Sequence, residues 1–163
     1  LPQPVIAEVH GIATAAGCQL VASCDLAVAA EDTRFGVNGV NIGLFCSTPM
    51  VALSRNVGRK KTFELLTTGE FLTAEEAERY GLVNRVAPSG EQGAAAMALA
   101  EKIAGKLPVA VRHGKRAFYE QAEMPLDQAY AHTARVIAEN MMEPETAKGV
   151  QAFLEKRPPR WEE

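Results

Sequence analysis

The chain has 163 residues, of which 47% are hydrophobic and 23% charged, with a formal charge of -3. A chain of that length buries roughly 70% of its unfolded surface, and these proportions belong to a globular protein rather than a disordered one. The slightly acidic balance argues against a dedicated nucleic-acid binder, and no apolar run approaches the roughly 20 residues that cross a bilayer.

The chain opens Leu1-Pro2-Gln3-Pro4 straight before an apolar strand, so it reads as cut from something longer. No basic-then-apolar signal segment is present. Cys18, Cys24 and Cys46 lie in apolar stretches without CxxC spacing, read as reduced thiols, and point to a cytoplasmic protein.

Val5–Val9 is a β-rich run bounded by Pro4 and by His10-Gly11. Ala15–Ser23 has helical composition, Cys24–Ala30 reads as a buried strand, and Arg34–Val37 as a shorter one. Helices are expected over Thr48–Asn56, ended by Gly58, and over Lys60–Thr67, ended by Gly69. Thr73-Ala-Glu-Glu76 is a capping-box pattern whose helix should stop at Gly81, before a strand at Leu82–Val86. Beyond residue 87 the chain is nearly all helix: Glu91–Lys106, Val109–Glu123, Pro125 to Asn140 and Pro144 to Lys156. The domain reading is therefore 1–87 as an α/β core and 88–163 as a helical region whose amphipathic helices need a packing partner, such as another subunit.

Gly36, Gly39 and Gly43 do not fit GxGxxG, and no GxxxxGK[ST] occurs, so a phosphate loop or nicotinamide enzyme has no support. His10, His113 and His132 are scattered and without metal spacing, so ordinary surface or core roles are expected and no metal. Glu75, Glu76 and Glu78 suit the start of a helix as a solvated face. Glu8 shares a strand face with Ile6 and His10, where an acid and an imidazole can meet, as a structural pair in the first instance. The informative stretch is His10 to Leu20. Small residues at 13, 15, 16 and 17 let a ligand approach the backbone, and the first helical N–H groups have no internal partner. Such groups can hold a developing oxyanion, although tight strand-to-helix packing also demands small residues.

PVIAEVHGIATAAGCQLVASCDLAVAAEDTRFG resembles the central signature of the crotonase superfamily, the enoyl-CoA hydratases and isomerases. LLTTGEFLTAEEAERYGLVNRVAP is similar to its next block, and AFLEKRPPRW to its C-terminal block. The resemblance implies the C-terminal part of an α/β spiral of ββα turns, followed by an all-helical oligomerisation region that builds homotrimers or hexamers. It implies binding of an acyl-CoA thioester, with coenzyme A as part of the substrate, no other cofactor, and no nucleic-acid or membrane partner. The thioester carbonyl would sit between two N–H groups, one from Ala16 and one from a segment preceding residue 1. Ala13, Ala15 and Gly17 would admit the ligand.

The resemblance also exposes two departures. The family's two catalytic glutamates fall at Gln19 and Gly39. An amide can hold a water but cannot take its proton, and glycine can do neither. Two-carboxylate hydration is therefore not expected. Phe45, Cys46 and Ser47 of the Gly43–Thr48 turn are expected near the site, with Cys46 as a replacement nucleophile or a structural thiol. Phe153 and Lys156 would meet the adenine end of CoA, or simply pack and solvate a helix. The competing reading is a non-catalytic acyl-CoA-binding or assembly protein of the same fold.

Overall fold

A computed structural model describes residues 1–161. Ile6–Val9 forms β1, and after a bend at Gly11 the residues Ile12–Thr14 form β2, which runs directly into helix α1, Ala16–Ser23. Gly11 has φ +70°, a backbone state that costs glycine little, and this lets the chain leave one sheet and enter another at once. The same pattern recurs as β3 (Leu26–Ala30), β4 (Arg34–Gly36), a short 3-10 helix (Asn38–Ile42), α2 (Ser47–Asn56) and α3 (Arg59–Thr68). β5 (Phe71–Thr73), α4 (Ala74–Arg79), β6 (Arg85–Ala87) and α5 (Gln92–Ala104) follow.

One parallel sheet has the order β1-β3-β6; the other has β4 between a parallel β2 and an antiparallel β5. Ile6 pairs with Leu26 and Ala13 with Phe35, so the two strands of one turn stack on the two strands of the next. This is the α/β spiral of ββα turns that the sequence resemblance implies. β3 is central and nearly all buried, as a strand covered on both faces should be. Phe35, Leu53, Leu66 and Leu72 are the largest fully buried apolar side chains of the core.

The structure revises several sequence expectations. Ile12–Thr14 and Phe71–Thr73 are strands that composition alone did not mark, because three-residue strands show almost no periodicity. Leu82 and Val83 are not in the sheet: their N–H groups both reach back to Ala77 O, at 2.8 and 3.3 Å, and close α4. Pairing resumes at Asn84, whose N–H donates to Ala27 O at 2.9 Å. Thr73 and Glu76 do form the expected capping box. The described residues fall into two compact units, Pro4–Ala100 and Leu1–Gln3 with the chain from Glu101 onward.

In the second unit α6 (Pro108–Ala122) and α7 (Leu126–Met141) form an antiparallel hairpin, and α8 (Pro144–Leu154) follows. His132 Nε2 lies 3.1 Å from Glu120 and His113 Nε2 3.6 Å from Glu143, so these histidines tie helices together. α8 ends with Lys156 at φ +55°, where Lys156 N–H donates to Phe153 O at 3.1 Å and Arg157 N–H to Ala152 O at 3.0 Å. That pair of bonds is a Schellman ending, normally given to glycine.

Truncation of Leu53 to alanine should lower stability by about 2–5 kcal/mol in urea unfolding of the intact protein, since the side chain has no exposed surface to collapse into. Lys156→Gly should raise stability by roughly 1 kcal/mol in the same measurement, by removing the left-handed strain.

Candidate functional site

The site is built where β2 becomes α1. Ala15, between them, has φ 47° and ψ -115°, an unusual backbone state for a residue with a Cβ. Together with Lys156 it makes up the positive-φ non-glycine residues among those described. The conformation costs on the order of 1–3 kcal/mol and survives only where neighbours over-determine it. Here the Ala15 N–H donates to Gly36 O on β4 at 3.0 Å, while Ala15 O accepts the first helical bond, from Gln19 N–H, also at 3.0 Å. The twist turns the next peptide away from β4, so the Ala16 N–H has no acceptor among the described residues. No side chain caps α1 and no acid stands in its first turn. A Cβ added at Gly17 would meet nothing within 4 Å, so the side of α1 at Gly17 is open.

Gln19 lies one helical turn along from Ala16. It is half-buried, and its side-chain amide has no hydrogen-bond partner among the described residues. Gly39 sits in the short 3-10 helix, which the β2–β4 pairing brings beside the strand-to-helix turn. A Cβ at Gly39 would stand 2.7 Å from Leu44 O and 2.9 Å from Cys46 Sγ. Leu44 N–H in turn donates to Gly39 O at 2.9 Å, so the turn from Gly43 is folded back onto this glycine. A side chain at position 39 is thus excluded by backbone and not merely missing.

Other expected site residues fall differently. Ala13 is buried in the core, paired with Phe35 of β4. Cys46, half-buried before α2, does reach Gly39; Phe45 and Ser47 are exposed beside it, with Ser47 Oγ donating to Phe45 O at 3.3 Å. Glu8 does not pair with His10 but accepts from Gln92 Nε2 at 3.3 Å. Phe153 and Lys156 lie at the end of α8, where Phe153 is exposed and Lys156 terminates the helix. Among the described residues no cluster of His, Cys, Asp and Glu could hold a metal ion. Two residues that sequence reading passed over, Thr14 and Asn38, hydrogen-bond across the turn at 2.5 Å. The one signal was a hydroxyl in an otherwise small, apolar run.

Cys18, on the inner face of α1, is electrostatically the most perturbed group of the site. Burial pushes its thiol up from 9.0 to about 12, against a backbone hydrogen bond from Gly36 and with a small further rise from Cys46. It is therefore a protonated, structural thiol.

A ββα spiral with a strained strand-to-helix turn at its centre is the architecture of the crotonase fold. The chain matches the family enoyl-CoA hydratase/isomerase over residues 1–163 and belongs to it. It is 46% identical over 160 residues to the mouse protein named enoyl-CoA hydratase domain-containing protein 3, mitochondrial, covering 98% of this chain and 53% of that protein. The human protein of the same name is 48% identical over 160 residues, with the same coverage. A crystal structure of an enoyl-CoA hydratase from Mycobacterium smegmatis superposes with TM-score 0.96 at 58% identity, covering 99% of this chain and 63% of that one. The crystal structure of the human domain-containing protein 3 gives TM-score 0.93 at 49% identity, covering 98% and 63%. The chain spans about half the length of these curated relatives. Their names place the relatives in mitochondria, which overturns the cytoplasmic placement inferred from the cysteines; reduced thiols do not distinguish the two compartments.

Gly39→Glu should cost at least about 1 kcal/mol and disorder the Gly43–Cys46 turn, because backbone must move to admit any Cβ; Gln19→Glu, half-exposed, should unfold at the same denaturant concentration as the parent. Because the Cys18 pKa is raised in the folded state, its contribution to stability is full below pH 9.0 and is lost as pH rises towards about 12. In the folded protein iodoacetamide should therefore label Cys46 well before Cys18, with Cys18 reacting on unfolding.

Proposed function

We propose that this chain carries the acyl-CoA thioester site of a crotonase-fold protein, in which the Ala16 N–H supports negative charge on the thioester oxygen. The observation that carries the reading is that N–H itself, without an acceptor among the described residues at the start of α1. A donor fixed before substrate arrives stabilises an enolate more than a ground-state carbonyl, because the charge develops where the dipole already points. A second donor would come from a segment outside these residues.

The chemistry differs from two-carboxylate hydration. Gln19 can orient a water or a substrate oxygen but cannot move its proton. At position 39 the Leu44 carbonyl and the Cys46 thiol occupy the place of a side chain, so no carboxylate stands there. What remains is enolate stabilisation with neutral hydrogen-bonding groups, suited to lyase, isomerase or hydrolase reactions on a CoA thioester. A second reading, a non-catalytic acyl-CoA-binding or assembly protein, is favoured by the absence of an acid in the first turn of α1, of α2 and of the 3-10 helix.

Assembly follows from surface. The residues from 101 onward leave Leu126, Tyr130, Met142 and Phe153 more than two-thirds exposed, and apolar surface on this scale marks an interface. A homotrimer, or a hexamer made of two trimers, would cover it.

On mixing the full-length protein with a short-chain enoyl-CoA, the conjugated thioester absorbance should fall at least about 100-fold more slowly than with a two-glutamate hydratase, while acyl-CoA still binds. Hydration at a normal rate would overturn the assignment of Gln19 and Gly39, and failure to bind any acyl-CoA would overturn the site itself. Sedimentation should give the mass of a trimer or hexamer, and a monomer at micromolar concentration would refute the assembly reading.

A further inference from the structure

Ala15 holds a strained backbone state with no side-chain cap behind it, so something must stop the turn from relaxing. β4 and the 3-10 helix after it hold the turn at two points. Gly36 O accepts the Ala15 N–H at 3.0 Å, and Asn38 Oδ1 accepts the Thr14 hydroxyl at 2.5 Å. The first holds the residue before Ala16; the second fixes Thr14, the last residue of β2, whose orientation sets the peptide planes that follow.

Asn38 is itself anchored. Its Nδ2 donates to Gly69 O at 2.6 Å, and Asn41 Nδ2 donates to the same oxygen at 3.2 Å. Gly69, left-handed at φ +67°, ends α3, so both amides of the 3-10 helix are tied to a rigid helix terminus. A Cβ on Gly36 would lie 2.6 Å from Asn38 Oδ1, so glycine at 36 is what lets the amide reach Thr14. The chain Gly69–Asn38–Thr14 thus runs from the end of one helix to the start of another.

We propose that Thr14 and Asn38 are positioning residues that aim the Ala16 N–H at the thioester oxygen. This rests on the oxyanion reading above. A small rotation of a donor peptide weakens a hydrogen bond to a developing charge far more than it weakens binding of the whole CoA molecule, most of whose contacts lie elsewhere.

The test uses the full-length protein and cinnamoyl-CoA, whose absorption moves to longer wavelength when its carbonyl is polarised. The wild-type complex should show this red shift. Thr14→Val and Asn38→Leu should each lose at least about half of it, with the dissociation constant changed by less than about threefold, whereas Thr14→Ser should restore it. Asn38→Asp keeps the acceptor for Thr14 and should keep the shift; its loss there, with Thr14→Val unaffected, would overturn the proposal in favour of the Gly69 anchor alone. Thermal melts separate folding from positioning, since a purely structural role would lower Tm and leave the spectrum of the bound probe unchanged. If Thr14→Val does not fold, Thr14→Ala replaces it. Unchanged red shifts in both variants would overturn the positioning role while the oxyanion reading stands. No red shift in a saturated wild-type complex would overturn both.

Discussion

The hydrogen bond from the Ala15 N–H to Gly36 O is the contact on which the site depends. It joins two neighbouring turns of the spiral where the inner one must leave its sheet and start a helix. Without it the positive φ of Ala15 would lose a bond that holds it against relaxation. A strained residue is stable only when surrounding structure over-determines it. The parallel pairing of β2 with β4 supplies that constraint, and the pairing in turn rests on the buried Ala13–Phe35 register beneath it.

The same spiral explains why the site is neutral. Position 39 is occupied from outside: the chain from Gly43 to Cys46 folds back so closely that only glycine fits. Position 19 is half-buried, and there the sequence carries an amide. Positions 19 and 39 therefore differ physically: at 19 a half-buried side chain has room, whereas at 39 backbone leaves room for none.

Much of this was legible before the structure. The long helices of the second half, the capping box at Thr73 and the Gly69 and Gly81 stops are local decisions, made by capping groups and by glycine's freedom at positive φ, so composition reveals them. Short strands were not legible, because three residues carry no usable period and owe their conformation to the partner strand. Ala13 shows the limit of reading size alone: its burial and its pairing with Phe35 come from the β2–β4 register, which its size does not reveal. Thr14 and Asn38, 24 residues apart, could not be paired without the register between β2 and β4.

By itself, then, the sequence determined the family, the order of strand, turn and helix, the small residues at the helix start and the presence of Gln19 and Gly39, since each is a property of residue identity or of a few neighbours. Tertiary structure alone decided that Ala15 bears the strain, that position 39 has no room for a side chain, and that Asn38 bridges Thr14 to Gly69. Those are consequences of which segments are stacked against which. A spiral fold sets that by pairing residues some twenty positions apart, beyond the reach of local propensity.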